Sequence, residues 1–131
     1  MCQVDLVDVE MELPHPHPTV VLREIQAPNR HFRFAVGLPE GVAIAYAWKR
    51  LPTPRPLTHE LFAGLLEQFH VSLEVVEITA SSEPSTYLAH LTLVSGTERR
   101  VLSSRPSDAL ALALRQRLPV PVMVEDALLS A

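Results

Sequence analysis

Glycine, aromatic residues and cysteine are all scarce in this chain of 131 residues, and each scarcity removes a class of function. Four glycines, none of them clustered, leave no glycine-rich phosphate loop and no Gly-x-Ser-x-Gly nucleophile elbow. Aromatic residues make up 5% of the chain, too few for a platform on which successive bases of a single strand would stack. The one cysteine, Cys2, cannot form an intrachain disulfide; it suits a reducing compartment and leaves an intermolecular bridge open. With no cysteine pair and no His-Glu-x-x-His, His15-Pro-His17 lacks the companions for a closed tetrahedral metal site and reads as a loop. A run of about 18 apolar residues is also missing, and Asp5, Asp8, Glu10 and Glu12 stand where a secretory signal would carry basic residues. The expectation is a cytoplasmic protein with no membrane contact.

A surplus of positive charge is absent too. Lys and Arg number 11 against 15 Asp and Glu, and the first 18 residues hold four of the acids and no base, so the remainder is balanced. A balanced surface does not steer nucleic acid toward itself, and any phosphate binding must use a local patch. The candidates are Lys49, Arg50 and Arg55, then Arg99, Arg100 and Arg105; the ordinary reading of such runs is a solvated face.

The chain does contain an echo of itself. Asp108 precedes Ala109-Leu-Ala-Leu-Ala-Leu-Arg115, and 68 residues earlier Glu40-Gly41 precedes Val42-Ala-Ile-Ala-Tyr-Ala47. At the same offset Thr19 to Ile25 aligns with Tyr87 to Leu93, and His31 to Val36 with Arg99 to Ser104. At an offset of 67, Val4 to Met11 resembles Val71 to Ile78. Two units of this size are too few for an open repeat array, and the length suits one hydrophobic core. The expectation is an α+β fold: a single compact domain over residues 1–131, built from a duplicated strand-strand-strand-helix unit with pseudo-repeats at about 4–50 and 71–118.

Short β-branched stretches predict strands over 4–11, 19–25 and 71–79, and period-two alternation predicts another over 31–36. A hairpin is expected over 87–103, bent at Ser95-Gly96, with a last strand over 120–124 and a short tail helix. The alanine-rich segment 40–48 reads as a helix, and Pro52, Pro54 and Pro56 then require an extended loop. Thr58 is a plausible N-cap for a helix in which Leu61, Leu65, Leu66 and Phe69 recur at helical spacing. Pro106 suits a first helical position, and the helix it opens is expected to run to 118 and stop at Pro119. That helix is apolar on nearly every side, so it must be covered all round, by a sheet on one side and by the equivalent helix or a second subunit on the other. The second possibility predicts a homo-oligomer, most simply a dimer.

The segments Arg105-Pro-Ser-Asp-Ala-Leu-Ala-Leu-Ala-Leu-Arg115, Glu40-Gly-Val-Ala-Ile-Ala45, Arg55-Pro-Leu-Thr-His-Glu-Leu61 and Val120-Pro-Val122 together resemble the bifunctional nuclease domain family, in the family's order and over about Val4 to Ala127. The resemblance implies a duplicated α+β fold and a nuclease acting on DNA and RNA. The family's acid before its first helix falls on Glu40, its Arg-Pro-Leu-Thr-His run on Arg55 to His59, and its Arg-Pro-Ser-Asp on Arg105 to Asp108. The chain departs from the pattern at Glu60, where Asp is common, and at Ser103-Ser104, where an acid often stands.

Phosphodiester hydrolysis needs charge stabilisation on the phosphoryl oxygens and an activated water. Asp108, Glu40 and Glu60 offer oxygen ligands suited to Mg2+ or Mn2+. His59 can act as a general base, and Arg55 and Arg105 can clamp a phosphate. The catalytic candidates are therefore Asp108, Arg105, His59 and Arg55. Each also has an architectural reading, since acids in first helical turns stabilise a helix through its dipole. The alternative function is a non-catalytic oligomeric interaction or regulatory module.

Overall fold

The β-branched stretches fold as two antiparallel meanders, each running into a short helix. The first is β1 (Cys2–Glu10), β2 (Thr19–Glu24) and β3 (His31–Ala35), followed by α1 (Leu38–Trp48). A second helix, α2 (Thr58–Gln68), leads into β4 (Ser72–Ala80), β5 (Tyr87–Ser95) and β6 (Glu98–Ser104), followed by α3 (Pro106–Leu114). The chain ends in β7 (Val122–Val124) and a single 3-10 turn over Asp126–Leu128. This computed structural model describes residues 1–11, 14, 16–52 and 58–131. Among them no helix is long and apolar enough to cross a membrane.

The strands form one mixed sheet in the order β3-β2-β1-β7-β4-β5-β6. β7 joins the two meanders, antiparallel to β1 and parallel to β4. The result is a single compact α+β domain. Four strands lie between β3 and β5, which on a flat sheet would hold Phe32 and Tyr87 about 24 Å apart at a spacing of about 4.8 Å per strand. Their ring centroids are 5.0 Å apart, so the sheet is strongly curled. One core fills it, with Val20, Leu22, Val76, Ile78 and Val124 fully enclosed.

α3 packs on β4 and β5 and against α1 and α2. Small residues make the close approach feasible: Gly41, Ala43 and Ala47 are buried on α1, and Ala109, Ala111 and Ala113 on α3. Of the two covers expected beside the sheet, the equivalent helix or a second subunit, the first is present: α1, with α2, covers α3 within the chain. α3 is also shorter than expected. It stops at Leu114, where Arg115 and Gln116 turn their backbone N–H groups onto the carbonyls of Leu112 and Ala113 and the Gln116 side chain donates to the Leu112 carbonyl at 3.0 Å. The expected continuation to 118 fails because these local bonds satisfy the helix end before Pro119 is reached. At the other helix, α1 starts at Leu38 with Pro39 in its first turn, which makes Glu40 its third residue rather than its opener. Thr58 is the first residue of α2 itself, and Pro54, Arg55 and Pro56 lie outside the described residues.

Candidate functional site

α1 and α3 set their N-termini toward a common place, and each carries an acid as its third residue, Glu40 and Asp108. Arg105, the residue before α3, is extended and its side chain caps nothing, which leaves the guanidinium able to reach across. Its Nε and Nη2 donate to Oδ2 and Oδ1 of Asp108 at 2.8 and 3.1 Å, and its Nη1 donates to Oε1 of Glu40 at 3.2 Å. The Arg105–Asp108 contact is the bidentate geometry that makes Arg a strong carboxylate partner. Glu40 folds back over its own helix start, and a Cβ on Gly37 would stand 2.8 Å from its Oε2.

His59, the second residue of α2, completes the cluster. Its Nε2 lies 2.9 Å from Oδ1 of Asp108. In the neutral ring this bond places the hydrogen on Nε2 and leaves Nδ1 as an acceptor. Burial works to raise the Asp108 carboxyl, but the hydrogen bonds from Arg105 and His59 outweigh it and hold the group below the usual carboxylate range. Asp108 in turn makes Arg105 hold its proton more tightly than a free guanidinium. The cluster opens to solvent at its arginine, whose side chain is 65% exposed while that of His59 is 20% exposed. Three of the five guanidinium N–H groups are engaged, so two remain to receive an anion.

Four of the expected site residues, Glu40, Arg105, Asp108 and His59, therefore form one connected chain of hydrogen bonds. Glu60 follows His59 directly but pairs with Arg115 at the far end of α3, its Oε1 3.2 Å from Nη2. That arginine is 14% exposed and also donates to the Leu51 carbonyl, tying the start of α2 to the segment after α1. Arg55 lies outside the described residues, as does His15 of the His-Pro-His segment. The second basic patch is largely neutralised: Arg99 pairs with Glu74 at 2.7 Å and Arg100 with Glu98 at 3.0 Å.

Among the described residues no three His, Cys, Asp or Glu side chains stand together as a metal-binding group. The two carboxylates closest to that role, Glu40 and Asp108, already share one guanidinium. As arranged they fit Arg105 better than a divalent ion, which would need Arg105 to release them first.

Beside His59 and Asp108 lies a cleft of about 310 Å3, walled by Phe62, Leu91, Leu102 and Leu112, with Thr58 and Ser104 among its few polar groups. A larger groove of about 950 Å3 runs along the other side of α2, where Glu60, Glu67, Arg115 and Arg117 line it as two ion pairs. Sequence reasoning missed Phe62, Leu102 and Ser104 as site residues. They meet only because α2 and the edge strand β6 flank α3, and no spacing along the chain signals that crossing.

A family model for the bifunctional nuclease domain matches residues 20–131. Two uncharacterized proteins of Mycobacterium tuberculosis, one from strain CDC 1551 / Oshkosh and one from strain ATCC 25618 / H37Rv, are each 36% identical over 131 residues. The match covers 99% of this chain and 75% of each relative.

Proposed function

Since the chain belongs to the bifunctional nuclease domain family, we propose that the Glu40–Arg105–Asp108–His59 cluster binds a phosphodiester of DNA or RNA and assists its hydrolysis with low sequence specificity. The observation that carries this reading is the His59–Asp108 bond of 2.9 Å beside a solvent-open arginine. Asp108 orients the ring, and the free Nδ1 of His59 accepts the proton of an attacking water. The two outward N–H groups of Arg105 take the phosphoryl oxygens on which negative charge develops. As the oxygen of water bonds to phosphorus, the ester P–O bond breaks and the leaving oxygen is protonated by the imidazolium or by solvent.

Formal charge does not attract the substrate here, because two carboxylates face one guanidinium. Two helix N-termini, each equivalent to about half a positive charge, bring the cluster close to neutrality. Binding in this reading depends on directed N–H donors rather than on a basic field. The expected Mg2+ or Mn2+ at Asp108, Glu40 and Glu60 does not fit the arrangement, since Arg105 holds two of these acids and Arg115 the third.

Purified wild type and Asp108→Asn, shown by circular dichroism to fold alike, would be incubated with labelled RNA and duplex DNA in Mg2+, in Mn2+ and in chelator. The expected result is cleavage that persists in chelator and falls by about 100-fold or more in the variant, the range for loss of a general base or its orienter. Equal cleavage by both proteins would remove Asp108 from the site, and cleavage only with added metal would overturn the role given to Arg105.

A second reading, a non-catalytic module that pairs with a second copy of itself, is supported by α2. Its Leu61 and Leu65, and Phe69 in the turn just after its end, recur four residues apart and are exposed, Leu61 by 67% and Phe69 by 70%. Under this reading Arg105 serves to join the N-termini of α1 and α3.

A further inference from the structure

The phosphodiester reading leaves the 310 Å3 cleft beside the cluster without a role. Its floor is Leu91 and Leu112, both buried, and its sides are Phe62 on α2 and Leu102 on β6, both partly open to solvent. Polar groups are few, and two of them, His59 and Asp108, belong to the cluster itself. A concave apolar site with a few convergent polar groups is the usual form of a small-molecule pocket, and this volume lies at the lower end of that range, about 300 to 1,000 Å3. It is too small to seat a helix and large enough for one flat heterocycle.

The ligand that suits both halves places an anion on the outward N–H groups of Arg105 and a flat, largely apolar body among Phe62, Leu102 and the buried leucines. That combination is a nucleotide. A base held in a duplex stack cannot enter such a cleft, whereas an unpaired base can be splayed out and stacked on an aromatic ring. Thr58 and Ser104 are among the lining residues; the Ser104 hydroxyl donates to the Arg105 carbonyl at 3.0 Å and keeps acceptor capacity for the polar edge of a base. One aromatic side chain serves one base, which agrees with a chain too poor in aromatics for a stacking platform. Resting on the phosphate reading of Arg105, we propose that this cleft receives one unpaired nucleobase, so that single strands are the preferred nucleic acid class.

Equilibrium anisotropy separates this inference from the reading beneath it. Three labelled phosphorothioate oligonucleotides of equal length, resistant to cleavage, would be titrated with the whole chain: a single strand, the same strand with abasic sites, and a duplex. The expected result is that the base-bearing strand binds about tenfold or more tighter than the other two, a gain within the range for stacking one base. Phe62→Ala, or Leu102→Asn should the first variant fold poorly, is expected to abolish most of that gain and leave abasic binding unchanged. Arg105→Ala is expected to weaken binding of all three. If base-bearing and abasic strands bind alike, or the duplex binds as tightly as the single strand, and Arg105→Ala still weakens them, the cleft has no such role and the phosphate reading stands. If Arg105→Ala changes nothing, both fall.

Discussion

Glu24 sits on β2 at 6% exposure, a place where a carboxylate persists only if its oxygens are occupied. Arg30 occupies them three times over, with its Nε at 2.9 Å, its Nη2 at 3.0 Å and its backbone N–H at 2.8 Å. These bonds, the side-chain ones first, lower the carboxyl from 4.5 to about 2. The unfolded chain therefore binds a proton that the folded chain refuses between about pH 4.5 and 2. Stability contributed by this pair is present above that window and is lost as pH falls through it. Urea midpoints of the wild type are expected to drop from pH 5 to pH 2.5, and Glu24→Gln, less stable at pH 5, is expected to show a shallower decline; parallel declines would refute the assignment. The scarcity of glycine shows at the same scale. The left-handed position after α2 is filled by His70, at φ 55°, with its N–H on the Glu67 carbonyl and that of Val71 on the Leu66 carbonyl. This is a helix end that usually takes glycine, and a non-glycine residue there costs roughly 1–2 kcal/mol. His70→Gly is expected to raise the melting temperature, with a gain of about 1 kcal/mol after the added freedom of the unfolded chain is counted.

Two glycines within helices test how elements pack. A glycine in a helix interior costs about 1 kcal/mol relative to alanine, so replacement should stabilise wherever a methyl group has room. Gly64 on α2 has nothing within 4 Å of a Cβ, and Gly64→Ala is expected to stabilise by up to about 1 kcal/mol. At Gly41 on α1 a Cβ would stand 2.7 Å from Cγ of Pro18, a stiff ring. Gly41→Ala is expected to destabilise by about 1–2 kcal/mol, since overpacking outweighs the propensity gain. Urea denaturation of the two variants checks both signs. The same elements show what spacing along a chain can reveal. Alternation at His31 to Ala35 and β-branched density at Ser72 to Ala80 marked strands because a pleated, half-buried backbone requires those patterns. The end of α3 was not legible, because the Gln116 side chain helps to close the helix at Leu114, five residues before the proline that looked like its stop. Glu40, Arg105 and Asp108 were legible as helix-start residues, whereas the Arg115 partner of Glu60 depends on how α2 crosses α3.

At the scale of the whole molecule, the sequence argument for a dimer rested on α3, and α1 and α2 already cover α3. The case for a second copy now rests on a different element. Leu61 and Leu65 on α2, with Phe69 in the turn just after it, are three large apolar side chains exposed by 67%, 54% and 70%. Scattered apolar residues on a surface need no explanation, but a contiguous stripe marks an interaction site. Light scattering at micromolar concentration is expected to give twice the 14.5 kDa chain mass. Leu65→Glu, a change at a solvent-facing position of α2, is expected to return the single-chain mass with an unchanged circular dichroism spectrum. A single-chain mass for the wild type would remove the α2 pairing and with it the main support for a non-catalytic module, leaving the Arg105–Asp108–His59 cluster as the feature of this fold that still needs a function.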